Sequence, residues 1–255
     1  QALALLGPGD TLVVGLARSA VHDGGRGLLD GLGGPATARS LLDGREVLLA
    51  LADDIALGGL AGAGQALTTL TSLSPSEAQE RDRLACRAAS QAIDLIGASR
   101  RGAPILAGAA VGHDERLSVS SWGTGAAGGG AAVLRALGAR AVPGARAMAH
   151  LLGLDDAIGG QDLVVTSTGE VYDVLADSVV AVVGTAAGAL ALPTVLVAGR
   201  SMVPRGELAE AGVVSSYALE DTGPGLVTGW DAGGPEAVRR RLAELGSRLA
   251  RSWSR

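Results

Sequence analysis

The sequence predicts an α/β protein built on parallel sheets, and three observations carry that expectation. From Gln161 onward, short apolar runs alternate with helical stretches in three consecutive strand–helix units, the pattern of a parallel sheet with helices on its faces. In the first half, Thr11–Gly15 and Glu46–Ala52 are apolar runs that break into loops rich in Gly, Ser and Asp. The composition is 47% hydrophobic but only 2% aromatic, with 40 Gly and no Phe, so the layers must pack closely through Ala, Val and Leu. A chain of 255 residues suits one large domain or two modest ones.

Taken in order, Thr11–Gly15 is a strand, Gly15–Gly25 a loop and Gly27–Gly33 helical. A second strand, Glu46–Ala52, ends in Asp53 and Asp54 and is followed by a loop over Gly58–Gly64. Ser74, Pro75 and Glu77 form an N-cap, a proline at the first helical position and a capping-box acid, predicting a helix from Pro75 to about Ala98. A polar connection, Gly112–Trp122, leads into Gly123–Gly130, which opens a helix that Gly138 would end. The alternating part then reads strand Asp162–Thr166, helix Val174–Leu190, strand Thr194–Ala198, helix Arg205–Ala211, strand Val213–Leu219 and helix Pro235–Trp253. On the last helix Leu242, Leu245 and Leu249 mark an apolar side, and its arginines are expected on a solvated face.

Charge and chemistry narrow the function classes. The net charge of −5 provides no basic field for nucleic acid or anionic lipid. Apolar runs such as Val179–Leu192 are too short and too Gly-interrupted to span a bilayer, and no signal peptide is visible. One cysteine, Cys86, sits in a helical pattern as a small shielded hydrophobe, which with the preceding observations implies a reducing, cytoplasmic setting. The chain begins at Gln1 rather than Met, so something upstream is expected to have been removed, disordered or processed.

Several motifs are weaker than they look. Gly123, Gly125 and Gly128 satisfy the dinucleotide fingerprint, but Ala139–His150 offers neither the following strand nor the acid that a NAD site wants. His22, His113 and His150 lack zinc-ligand spacing, and Ser19 lacks a nucleophile elbow. The segment Gly15–Gly25 (GLARSAVHDGG) is more distinctive: it is a ligand loop for a small anion, or a turn in which Asp23 caps the next helix. Asp53 and Asp54 at a strand end could hold Mg²⁺ through one carboxylate, or be solvated loop acids.

In this order, four segments resemble the bacterial type I glycerate kinases. Gly15–Leu29 (GLARSAVHDGGRGLL) is similar to that family's GxGGSATNDGGxGML, and Ala52–Gly59 (ADDIALGG) to its DVxNPLxG. Gly123–Ala145 (GTGAAGGGAAVLRALGARAVPGA) resembles its GAGAAGGLGxxLxxLGAxLxPGI, and Asp162–Asp173 (DLVVTSTGEVYD) its DLVITGEGRLD. The resemblance implies a two-domain fold, a Rossmann-like domain interrupted by an inserted α/β domain, with residues 1–158 as the insertion and 159–255 as the returning half. It implies ATP-dependent phosphorylation of glycerate or a similar small hydroxy acid with Mg²⁺, the nucleotide and the acid being the partners. It also implies an amino-terminal portion with its own glycine- and lysine-bearing loop.

Carried over by motif, Asp23 and Asp173 are the candidate catalytic carboxylates, and Arg18, Ser19, Gly24, Gly25, Asp53, Gly125, Gly128 and Thr166 the candidate substrate- or phosphate-binding residues. The departures are equally specific. Ala17 and Arg18 replace two glycines, His22 and Ala56 replace two asparagines, and the Glu of GEG is lost between Thr168 and Glu170. All 21 basic side chains are Arg, so the family's lysine-bearing segments read Thr69–Leu73 and Asp177–Ser178. Asp177 is therefore expected to add repulsion where phosphate charge needs neutralising, and Arg18 to be the stand-in cation. These losses keep open a degenerate, non-catalytic relative that binds a small anion or a partner protein.

Overall fold

The computed structural model describes residues 5–7, 9–100, 116–174, 177–222 and 229–253. The chain divides into two compact units, Gln1–Gly144 and Ala145–Arg255, each holding one three-stranded sheet.

In the first unit β1 (Thr11–Leu16), β2 (Glu46–Leu51) and β3 (Arg140–Pro143) run parallel in the order β1-β2-β3. β2 is central and its apolar run is almost wholly buried, as a strand covered on both faces requires. The chain between β1 and β2 forms α1 (Arg26–Gly31) and α2 (Gly34–Leu42). After β2 come a 3-10 turn at Ala63–Ala66, the short α3 (Leu67–Leu70), the long α4 (Pro75–Arg100) and α5 (Gly130–Ala136). Leu49 and Leu51 of β2, Ile96 of α4 and Val133 of α5 meet in one core that contains no large ring. α4 begins where the capping box placed it: the Ser74 backbone amide donates to Glu77 Oε2 at 2.9 Å, and the Glu77 amide reaches back to Ser74 Oγ at 3.4 Å.

Strand β3 corrects the sequence reading, which found no strand in Ala139–His150. Its four residues include Arg140 and Pro143, and it forms because the free edge of β2 offers the register Leu48↔Arg140 to Leu51↔Pro143. A proline is admissible there, since the strand is an edge and ends on it. Sequence periodicity also passed over α2, α6 (Gly144–Leu151) and α7 (Leu154–Ile158), all segments of nine residues or fewer, too short to show a helical period.

The second unit realises the three strand–helix units. β4 (Val164–Val171), β5 (Thr194–Ser201) and β6 (Val213–Ala218) lie side by side and parallel, with α8 (Val179–Ala189), α9 (Arg205–Glu210) and α10 (Gly234–Trp253) following them in turn. β4 runs five residues past the expected end at Thr166, so Glu170 and Val171 still pair with Arg200 and Ser201 of β5. On α10 the buried pair is Arg241 and Leu245, one turn apart, while Leu242 is exposed. Arg241 thus departs from the solvated face expected of it: its Nη2 donates to the Ala232 carbonyl at 2.8 Å, tying the helix to the turn before it. Among the described residues, no helix is long and apolar enough to cross a membrane.

Candidate functional site

In a parallel sheet, ligands gather where the loops leave the C-terminal ends of the strands. At that end of the first sheet the loop after β1 carries Arg18, Ser19, His22 and Asp23, and the loop after β2 carries Asp53. The two loops are joined directly. Arg18 Nε donates to Asp53 Oδ2 at 2.9 Å, and Asp53 Oδ1 accepts the Ile55 amide at 3.2 Å. Asp53 is largely enclosed, with 16% of its side chain exposed, whereas Arg18 is 57% exposed. The carboxylate therefore fixes one edge of a guanidinium whose remaining donors face outward.

Ser19 turns its Oγ back to accept the Val21 amide at 3.1 Å. Asp23 is a helix cap: Oδ1 accepts Gly25 N at 2.9 Å and Oδ2 accepts Gly27 N at 2.8 Å, at the start of α1. These are the hydrogen bonds that the capping reading of this aspartate expects. His22, which stands where the family motif has asparagine, is 3% exposed and donates through Nε2 to Asp82 Oδ1 of α4 at 2.8 Å.

Gly24 and Gly25, expected to hold an anion, are buried. The Gly24 amide donates to the Gly128 carbonyl at 2.9 Å, and a Cβ on Gly24 would lie 2.1 Å from the Ala85 carbonyl oxygen of α4. Gly125 donates to Ile55 O at 2.9 Å, and Gly128 to Gly125 O at 3.0 Å. The fingerprint glycines thus follow irregular chain and not a strand, which removes the dinucleotide reading on geometry. Thr124, unremarkable in the sequence, is fully buried and pins this segment: its Oγ1 accepts Leu57 N at 3.0 Å and lies 2.7 Å from Ser121 O.

The same end of the second sheet holds a separate polar group. Thr166 is buried within β4, five residues before the strand ends at Val171, and Asp173 is exposed just beyond that end. At the strand ends Glu170 accepts from Trp230 Nε1 at 2.8 Å and from the Tyr172 hydroxyl, while Arg200 Nε donates to Glu220 Oε2 at 2.9 Å. The Tyr172 and Trp230 hydrogen bonds, in that order, hold the Glu170 carboxyl below its ordinary value. Trp230 lies across Gly199, where an added Cβ would come within 2.3 Å of the indole. Sequence reasoning found none of Tyr172, Arg200, Glu220 and Trp230, because they lie at a strand end and in the segments beyond it, far apart in the chain and without a spacing signal. Asp177, expected to add repulsion, is paired with Arg146 Nε of α6.

The chain as a whole is similar to known proteins. The chain matches the glycerate kinase family over residues 101–251. Uncharacterized proteins of Mycobacterium bovis and Mycobacterium tuberculosis are each 31% identical to it over 224 residues, covering 86% of this chain and 53% of their own length, so the chain spans about half of those relatives. The crystal structure of a protein assigned as glycerate kinase 2 of Salmonella typhimurium LT2 shares the fold, with a TM-score of 0.56 and 20% identity over 96% of this chain and 65% of that one. By the extent of the family match, this chain belongs to the glycerate kinase family.

Proposed function

We propose that this chain is a hydroxy-acid-binding member of the glycerate kinase family in which the family's reaction, ATP-dependent phosphorylation of glycerate or a similar small hydroxy acid, is absent or very slow. The observation that carries this is the Arg18–Asp53 pair at the strand ends of the first sheet. A guanidinium held by one nitrogen presents its other donors as a fork for a carboxylate. Beside that pair, Ser19 is the polar group of the first unit that we assign to the acid's hydroxyl side; Asp173 is exposed in the second unit and is carried over from the family motif alone, and Asp23 and Thr166 are assigned to structure.

The residues described do not fit Mg-ATP. The chain has no lysine, and the glycine amides named above are bonded within the fold. Phosphoryl transfer rests on positioning and on neutralising charge, so no step through the nucleotide is derived. The same observation favours the reading of a non-catalytic relative that binds a small anion over a competent kinase. The composition supports a cytoplasmic protein without affinity for nucleic acid, and the division of the family fold at about residue 158 remains our proposal for the native protein.

The test is calorimetric titration of D-glycerate into the wild type and Arg18→Gln, alongside a coupled assay with Mg-ATP. Binding that falls at least tenfold in Arg18→Gln supports the reading. Turnover within the ordinary range of about 1 to 10³ per second sinks its non-catalytic half.

A further inference from the structure

We infer that the glycine-rich loops of the first sheet form a closed joint, glycine against glycine, that holds the loops to α4 and offers no cradle for a polyphosphate. The inference rests on the reading of this strand edge as a small-acid site and specifies what the site excludes. Phosphate-binding glycine loops work because their backbone amides point outward at the ligand and the missing side chains let it approach. Here both properties are spent inside the fold.

The amides are spent first. Gly24 N donates to Gly128 O, Gly25 N to Asp23 Oδ1 and Gly27 N to Asp23 Oδ2. On the facing loop Gly123 N donates to Asp54 O, Gly125 N to Ile55 O and Gly128 N to Gly125 O. Six motif glycines thus have bonded N–H groups, five in two loops that face each other and Gly27 in the first turn of α1.

The missing side chains are spent next. A Cβ on Gly129 would lie 2.6 Å from Gly24 Cα, one on Gly25 would lie 2.7 Å from the Gly129 carbonyl oxygen, and one on Gly128 would lie 1.8 Å from the Val21 carbonyl oxygen. Every one of these obstructions includes backbone, which cannot swing aside as a long side chain can. Gly24, Gly25, Gly128 and Gly129 also hold positive φ of 70°, 76°, 60° and 104°. The neighbour Ala127 takes φ 52° and donates its amide to Ala17 O at 2.8 Å, closing the joint toward β1. The space that glycine leaves is filled by the other loop. Anion capacity at this edge then rests on the Arg18 side chain, which suits one small carboxylate and not a chain of phosphates.

Hydrogen exchange of the amides of Gly24, Gly125 and Gly128 in the wild-type chain, with and without inorganic tripolyphosphate, tests this directly. Slow exchange without ligand and no change at millimolar tripolyphosphate are expected. Fast exchange, or protection that saturates with tripolyphosphate, overturns the joint. A pair of variants gives an independent readout. Gly15→Ala, in the same motif but with open space around its Cβ, leaves the melting temperature within about 2 °C, whereas Gly128→Ala lowers it by on the order of 10 °C or prevents folding. A Gly128→Ala protein as stable as the wild type overturns the inference. If glycerate fails to bind while these results hold, the function proposed above is wrong and the joint stands.

Discussion

His22 and Asp82 lie 2.8 Å apart, imidazole Nε2 to carboxylate Oδ1, and tie the loop after β1 to the second turn and beyond of α4. The imidazole is buried and Asp82 is partly exposed, with side-chain exposures of 1% and 32%. A backbone joint between glycines holds position only if the loop carrying them is anchored, and this bond is an anchor made of side chains.

Removing the histidine therefore costs stability. His22→Ala leaves a cavity and an unpaired carboxylate, a loss of about 1–3 kcal/mol. His22→Asn, which restores the residue of the family motif, is too short to reach Asp82 and recovers less than half of that loss. Urea unfolding of the two variants decides it; a wild-type midpoint for His22→Ala would show the bond to be idle.

A second prediction concerns Asp177 and Ser178, the positions where the family carries glycine and lysine. Asp177 is paired with Arg146, so the repulsion expected from the sequence has a neighbouring cation to offset part of it. Ser178 caps α8, its Oγ accepting Ala181 N at 3.3 Å. Both members of the ion pair are exposed, so Asp177→Ala changes stability by less than about 1 kcal/mol. Ser178→Lys removes the cap and sets a cation at a helix N-terminus, costing about 1–2 kcal/mol. The double change Asp177→Gly with Ser178→Lys does not restore ATP binding, and calorimetry with Mg-ATP that detected tightening would contradict this.

The third prediction is a pH dependence. Glu170 lies below its ordinary value of 4.5 because it accepts from Tyr172 and Trp230. A carboxylate depressed in the folded state contributes its stability above the unfolded value and loses it as pH falls through the folded one. Trp230 emission is therefore constant from neutral pH down to about 4.5 and changes only below it. In Glu170→Gln the acid transition disappears. An emission change centred above pH 5 would rule the contact out.

The fourth concerns Cys86, whose thiol is pushed above its ordinary value of 9.0 by burial first and by the Asp82 charge second. It packs beside Leu57, Ala89 and Val119. Its reaction with a neutral disulfide reagent at pH 8 is expected to be at least roughly tenfold slower than that of a free thiol peptide. Asp82→Asn speeds it. Labelling at the free-thiol rate in the native state would mean the half-buried position is open.

Periodicity and capping chemistry carried much of the fold. Ser74, Pro75 and Glu77 placed the start of α4 at the observed residue, and the strand–helix alternation after Gln161 gave three parallel strands in sequence order. Both signals are local, so the chain states them without help from neighbours. β3 was not legible, because Arg140–Pro143 becomes a strand only through the edge of β2. The reach of β4 to Val171 was hidden for the same reason: Gly169 and Glu170 are poor strand residues kept in line by Arg200.

At the candidate site, motif order and apolar runs are enough to place these residues in strand-end loops, and the residue content shows that the chain has no lysine. What those residues touch depends on the folded unit. A glycine reads the same in sequence whether its amide faces a ligand or a neighbouring loop, and only the approach of Gly129 to Gly24 distinguishes the two. Asp23 could have faced solvent or α1, and two amides drew it to the helix. The pairing of Arg18 with Asp53 joins residues 35 positions apart, and that of Arg146 with Asp177 residues 31 apart. Charge complementarity across such separations depends on where the backbone returns, which is set by the packing of the whole unit and is written in no single stretch of the chain.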